Sequence, residues 1–97
     1  MKVLAIIDIA PNASIDVIRG ELKKELREAW RLYGSGVLRE AYATDVPTRV
    51  VFLLEAQDIA HAEEGLRALP LVASGLMHAS LVELRPFTNW SALFATL

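Results

Sequence analysis

Two runs of the sequence are apolar at every position, and they restrict how the chain can fold. Val3 to Ile7 reads Val-Leu-Ala-Ile-Ile, and Val50 to Leu54 reads Val-Val-Phe-Leu-Leu. β-Branched side chains are common in both, and neither run alternates between polar and apolar residues. As strands, these runs would present apolar side chains to both faces of a sheet. The fold must therefore cover both faces at the centre of that sheet.

The other segments complete an alternation of strands and helices. The sequence predicts strands over 2–9, 37–44, 48–55 and 76–85. The turn Asp45-Val46-Pro47 makes the second and third strands a hairpin. Helical spacing predicts a first helix along an apolar stripe, with Asn12 or Ser14 as its cap and Gly34-Ser35-Gly36 as its end. The stripe comprises Ile15, Ile18, Leu22, Leu26, Ala29, Trp30 and Tyr33; the charged residues, Glu25 among them, occupy the remainder.

A second helix is predicted over 56–69, and Asn89 is the expected cap of a last short helix in the tail, 86–97. The order βαββαβ predicts an α+β fold, a single ferredoxin-like domain over 1–97. Such a domain has a four-stranded antiparallel sheet with two helices on one face. The second face would then expose several hundred Å² of apolar surface, and at roughly 25 cal/mol per Å² its burial is favourable by about 10 kcal/mol before association costs.

We therefore expect a homodimer formed face to face through the open sheet face, so that the two sheets enclose a barrel. The tail, with its apolar residues Phe87, Trp90, Leu93, Phe94 and Leu97, is expected to take part in oligomer contacts and allows an assembly larger than a dimer.

The composition of the chain argues against several classes of function. The net charge of −2 and the absence of a concentrated basic face argue against binding to nucleic acid or to anionic membranes. The chain has no cysteine, which excludes disulfides, thiolate catalysis and Cys-ligated metals. His61 with Glu64 supplies only half a metal site, so we interpret it as a solvated helix face. No cofactor and no metal are expected, and the cytoplasm is the expected location.

Two residues at strand ends are candidates for proton transfer. In the fourth strand His78 and Ser80 share one face, while Met77, Ala79, Leu81 and Glu83 share the other. If the second set faces the helices, His78 points into the barrel, where an imidazole could act as a base. A lone histidine in a sheet also fits a structural role. Asp8 interrupts an apolar strand near its end, and it is either a buried pocket acid or a solvated strand terminus.

The arrangement resembles the dimeric α+β barrel superfamily, and within it the muconolactone isomerase family. The resemblance rests on Lys-Lys-Glu-Leu at 23–26, Gly36 with Arg39, Glu55, Leu69-Pro70-Leu71 and Arg85-Pro86. Members of that family move a proton between carbons of an unsaturated lactone without a cofactor. The resemblance implies an isomerase acting on a small lactone or related carboxylated compound. The catalytic candidates come from the residues themselves: His78, Asp8 and, as a further candidate base, Glu40.

Substrate contacts are expected from Arg39, Tyr42 and Ser80. Arg39 matches a family position and could hold a carboxylate through its forked guanidinium, or it could pair with Glu40 or Glu83. Tyr42 could donate to an oxyanion or simply pack, and we expect a surface role for Arg49. Two other functions stay open at this point: a non-catalytic module that binds a small ligand or builds an assembly, and a cofactor-free monooxygenase.

Overall fold

The elements follow one another as strands and helices along almost the whole chain. The computed structural model describes residues 1–95, and Leu97, which the sequence assigns to the apolar tail, lies outside this range. The strands are β1 (Lys2–Ile9), β2 (Leu38–Asp45), β3 (Thr48–Glu55) and β4 (Met77–Leu84). The helices are α1 (Ile15–Gly34), α2 (Ile59–Arg67) and α3 (Pro70–Ala73), and a 3₁₀ helix spans Thr88–Phe94.

The strands form one open antiparallel sheet of four in the order β2-β3-β1-β4. β1 and β3 are the central strands, and their sequences carry apolar residues toward both faces of the sheet. The α+β class and the four-stranded antiparallel sheet with helices are thus confirmed. The edges are β2 and β4, whose side chains are the more exposed.

The helices pack on the face that carries Val3, Ala5 and Ile7. These side chains form the core with Phe52 and Leu54 of β3 and with Ala62, Leu66 and Leu69 from the second helical region. Met77, Ala79 and Leu81 of β4 pack against the same core, as expected if His78 and Ser80 point away from the helices. This burial follows the period of two that a strand imposes on its side chains.

The opposite face, called here the open face, carries Leu4, Ile6, Val51 and Leu53 at its centre. Val82 and Leu84 extend it onto β4, where they are exposed. The tail does not shield it, because Phe87, Trp90, Leu93 and Phe94 are themselves 61–80% exposed. Within residues 1–95 this apolar face is therefore only partly covered: its central side chains are half-buried, and Val82 and Leu84 are exposed.

The predicted second helix over 56–69 is wrong in its extent. The helix observed within that range is only α2, Ile59–Arg67, which Asp58 caps by accepting a hydrogen bond from the backbone N–H of His61 at 2.7 Å. The short α3, Pro70–Ala73, follows it and was not predicted. Pro70 causes the break, because a proline disfavours helical backbone in the residue before it. Leu69 is accordingly extended and begins α3 without a side-chain cap.

The orientation of α1 also differs from the prediction. Ser14 is the N-cap, one of the two residues expected, and its Oγ accepts from the Val17 N–H at 3.3 Å. The buried line of the helix, however, runs through Ile18, Glu25, Ala29 and Leu32. Most of the predicted apolar stripe is therefore exposed along the flank of the helix, by 42–73%: Ile15, Leu22, Leu26, Trp30 and Tyr33.

The tail forms the 3₁₀ helix Thr88–Phe94 rather than a helix capped by Asn89. Phe87 occupies the N-cap position without a side-chain hydrogen bond, and Asn89 lies inside the helix. Ser91 Oγ instead donates to the Thr88 carbonyl at 2.9 Å. The expected cap is therefore wrong, although a short helix does form there.

The position of Leu69 at the junction of α2, α3 and the sheet gives a test of this packing. Leu69 is fully buried, so Leu69→Ala should lower the free energy of unfolding by about 2–5 kcal/mol through lost burial and the remaining cavity. Val17→Ala, at a half-exposed position of α1, should cost less than about 1 kcal/mol. Urea unfolding followed by circular dichroism measures both, and equal losses would contradict the packing described.

Candidate functional site

The open face is organised as transverse rows, because paired residues on neighbouring strands point to the same side. The row at one end is polar and consists of Thr44, Arg49, Asp8 and His78, in order across β2, β3, β1 and β4. We call these four residues the polar row. The next row is Tyr42, Val51, Ile6 and Ser80, and the one after it is Glu40, Leu53, Leu4 and Val82. Five of the six candidates named from the sequence are thus spread over three rows, and Arg39 lies outside them.

The polar row brings Asp8 and His78 together and adds Arg49. The Nε–H of Arg49 donates to Oδ1 of Asp8 at 2.9 Å, and both side chains are 39% exposed. His78 is the register partner of Asp8 on the other side, which puts the two Cβ atoms about 5 Å apart. No hydrogen bond joins Asp8 to His78 in the part of the chain that the structure describes. An acid, a guanidinium and an imidazole nevertheless lie side by side at the end of an apolar surface.

Arg49 is the residue of this cluster whose role the sequence interpretation missed. We expected a surface role because Arg49 follows a hairpin turn, but it bonds to a side chain of the central strand β1. The pairing register of β1 with β3 would have predicted this contact, because a register that aligns Val3 with Leu54 also places Asp8 beside Arg49. An arginine keeps its charge at any relevant pH, so the carboxylate of Asp8 always has a positive neighbour.

Glu40 and Tyr42 are partners at the β2 edge of the open face. The Tyr42 hydroxyl donates a hydrogen bond to Oε1 of Glu40, and this bond raises the pKa of Tyr42 above its usual value. Both side chains are exposed. The bond keeps the Tyr42 proton directed at Glu40, so neither group is directed at Asp8 or His78.

Arg39 lies away from the polar row. It occupies an irregularity in the pairing of β2 with β3, between Leu38 and Glu40, and its Nε donates to the Gly36 carbonyl at 2.7 Å. Glu83, one of its expected partners, pairs instead with Arg85 at 3.2 Å. Asp8, which pairs with Arg49, and Lys2, which pairs with Glu55, are six residues apart on β1. The two ends of the face are therefore roughly 20 Å apart. Arg39 and His78 therefore do not meet within one protomer.

A separate cavity of about 290 Å³ lies on the helix side of the sheet, under α1, and we call it the α1 pocket. Its floor is formed by strand residues, and its walls are residues of α1. The lining residues are Ile7, Leu22, Glu25, Leu26, Ala29, Ala41, Tyr42, Ala43, Val50, Phe52 and Met77. The space exists because β2 contributes only the methyl groups of Ala41 and Ala43 where larger side chains would fill it.

Glu25 is the one acid in that lining, and the sequence placed it wrongly on the solvated side of α1. It is only 8% exposed, and its Oε1 accepts from the backbone N–H of Leu71 at 2.9 Å. That bond supplies α3 with the cap that Leu69 cannot provide. Burial raises the pKa of Glu25 above its ordinary value, and the Leu71 hydrogen bond opposes this effect only in part.

A larger space of about 820 Å³ is a groove between α2 and the outer edge of β4. Glu63, Arg67 and Glu83 contribute charged groups to its lining, and Met77, Ala79 and Leu81 contribute apolar ones. His78 borders it as well as the open face. No hydrogen bond or ion pair joins Glu63, Arg67, His78 and Glu83 to one another in the described part of the chain, whereas Asp8 and Arg49 of the polar row are paired.

Metal binding has no support in the described part of the chain. Residues 1–95 contain no group of three or more histidine, aspartate or glutamate side chains placed to hold an ion. Nδ1 of His61 accepts from the backbone N–H of Gln57 at 3.0 Å, which uses that nitrogen at the start of α2. None of the helices in this range is long and apolar enough to cross a membrane.

The buried carboxyl of Glu25 predicts how stability depends on pH. Its pKa is higher in the folded chain than the ordinary value of 4.5, so the folded state holds the proton more tightly than the unfolded state. Stability should therefore fall as the pH rises from about 4.5 through the raised pKa, and it should level off above it. Glu25→Gln cannot ionise and keeps an oxygen for Leu71, so its stability relative to the natural chain should increase across that window.

Urea unfolding at several values between about pH 4 and pH 8 measures this difference, with Glu64→Gln on the exposed side of α2 as the control. The control should keep a constant difference from the natural chain. If Glu25→Gln also shows a constant difference, Glu25 does not ionise differently in the two states.

Comparison of the chain with protein-family models and with curated proteins gave no match.

Proposed function

We propose that the chain forms a cytoplasmic homodimer of ferredoxin-like protomers, a dimeric α+β barrel, and that the polar row binds a small carboxylated compound and shifts a proton on it. The reaction would resemble that of muconolactone isomerase, with an unsaturated lactone as the substrate class and no cofactor. The single observation that carries the proposal is the placement of Asp8, Arg49 and His78 side by side at the end of an apolar face.

The topology supports the ferredoxin-like assignment. Counted from the β4 edge the order is β4-β1-β3-β2, so β1 and β2 are separated by β3, and β3 and β4 by β1. Each separated pair is joined through a helical segment, α1 in the first case and α2 with α3 in the second. Two such split βαβ units make up the ferredoxin-like pattern.

The apolar centre of the open face, which is only half-buried, supports dimerisation. Leu4, Ile6, Val51 and Leu53 form a contiguous apolar patch over the central strands, and Val82 and Leu84 widen it. Apolar patches of several hundred Å² are uncommon on monomers and typical of interfaces. A second copy presents the same patch, so a two-fold arrangement would cover both patches at once.

Each group of the polar row can take one part in a proton shift. Asp8 uses the Nε–H of Arg49, which leaves the other guanidinium N–H groups to hold a ligand carboxylate. His78 is placed to act as the base, taking a proton from one carbon of the ligand and returning it to another. Asp8 lies opposite His78 in the strand register. Covering by a partner would exclude water and strengthen all of these interactions.

A second candidate function is binding without turnover. Most of the open face is aliphatic, and the charge of Asp8 is already balanced by Arg49 at 2.9 Å. Such a face can bind an apolar ligand while presenting few groups that could react with it. A compound that raises the melting temperature but is never converted would favour this function over isomerisation.

The dimer is tested by a charge placed at the centre of the open face. Leu53→Asp should weaken self-association at least 100-fold, because the carboxylate would have to leave water in the interface. Val46→Asp, in the hairpin turn at a position 95% exposed, is the matched control and should leave association unchanged. Analytical ultracentrifugation measures both. A natural chain that stays monomeric at micromolar concentration would contradict the dimeric barrel.

The catalytic assignment is tested with a carboxymethyl-substituted unsaturated lactone in deuterium oxide. His78→Ala should slow incorporation of deuterium by about 100-fold or more, the usual contribution of a general base. Arg49→Leu should mainly raise KM, since it removes the carboxylate contact. Proton NMR follows the exchange, and oxygen uptake measured in parallel would identify a monooxygenase instead.

Arg39→Ala serves as the comparison, because within a protomer Arg39 lies at the other end of the face. If Arg39→Ala raises KM and Arg49→Leu does not, the carboxylate contact belongs to Arg39. Full activity of His78→Ala would remove His78 from the mechanism.

A further inference from the structure

We propose that the α1 pocket is a second binding site, selective for a small uncharged molecule that carries one hydroxyl group, with Glu25 as its polar contact. The site is independent of the polar row: it lies on the helix side of the sheet and is formed within a single protomer.

The shape of the pocket fits a compact apolar ligand. Its volume of about 290 Å³ is close to the lower end of the range for small-molecule sites. Strands β1, β3 and β4 provide Ile7, Phe52 and Met77, while Leu22 and Leu26 of α1 stand at the exposed side. Ligand binding would cover part of these two leucines, whose side chains are now exposed to solvent.

Glu25 supplies the specificity for a hydroxyl. Its Oε1 is used by the Leu71 N–H, and Oε2 has no hydrogen bond to residues 1–95 and is not sealed from solvent. A ligand hydroxyl can donate to this carboxyl when it is ionised and accept from it when it is protonated. Burial, which raises the pKa of Glu25, brings the protonated form closer to neutral pH.

The charge of the lining selects against ions. It contains no lysine, arginine or histidine, so a bound anion would meet the carboxyl of Glu25 without a compensating cation. A bound cation would have to give up its hydration in surroundings that are otherwise almost entirely hydrocarbon. This preference is the opposite of that of the polar row, where Arg49 favours a carboxylate.

Three probes of similar shape test the proposal: p-cresol, which is neutral, 4-methylbenzoate, an anion, and 4-methylbenzylamine, a cation. We expect p-cresol to bind at least 10-fold more tightly than either ion. Methyl NMR spectra should show the largest shifts at Leu22, Leu26, Ala41, Ala43 and Met77. Tighter binding of either ion, or shifts confined to the open face, would overturn the proposal.

Variants separate this site from its surroundings. Ala41→Phe should fill the pocket and weaken p-cresol binding at least 10-fold, while Ala60→Phe on the exposed side of α2 should not change it. If Ala41→Phe does not fold, Ala43→Phe takes its place. Arg49→Leu should leave p-cresol binding unchanged, so failure at the polar row and failure at the α1 pocket can be told apart.

The aromatic tail of a second copy is the competing occupant. Trp90 and Phe94 are exposed, and no charged residue follows Arg85 in the chain. If such a tail fills the pocket, the double variant Trp90→Ala, Phe94→Ala should bind p-cresol at least 10-fold more tightly than the natural chain. That result would overturn the proposal, whereas unchanged affinity would support it.

Discussion

A single layer of helices covers a sheet that is apolar on both sides, and most features of the molecule follow from this mismatch. β1 and β3 present Val3, Ala5, Phe52 and Leu54 to the helices, where these side chains become the core. The same strands present Leu4, Ile6, Val51 and Leu53 to the other side, where residues 1–95 leave them only half-buried. Burying apolar surface is favourable, and large apolar patches are uncommon on monomers, so this face is the observation from which the proposed dimer is argued.

The strands could be predicted closely because their signal is local. β-Branched residues and the hairpin turn at Asp45-Val46-Pro47 identify them without reference to the rest of the fold. The sequence also predicted which side chains of β4 share a face of the sheet. Met77, Ala79 and Leu81 lie on one face, and His78 and Ser80 lie on the other. The pairing of Asp8 with Arg49 needed the register between β1 and β3, which no local pattern contains.

The rotation of α1 could not be predicted from its own sequence. Leu22, Leu26 and Tyr33 form a better apolar stripe than the line that is buried, and the hydrophobic pattern alone would turn them inward. The structure instead buries Glu25, whose partner is the backbone N–H of Leu71, 46 positions away in sequence. A polar contact that depends on the placement of α3 leaves no periodic signal in the sequence of α1. The α1 pocket could therefore not be predicted from the sequence either.

The bond between Glu25 and Leu71 explains why this rotation is tolerable. Pro70 makes Leu69 extended, and α3 begins with backbone N–H groups that no local side chain satisfies. The carboxyl group of Glu25, from α1, satisfies one of them by accepting from the Leu71 N–H. Turning α1 to bury Leu22 and Leu26 would withdraw Glu25 and leave that N–H without its partner. The polar contact between α1 and α3 therefore accounts for the exposed leucines, while the small side chains of Ala41 and Ala43 leave the space beside them.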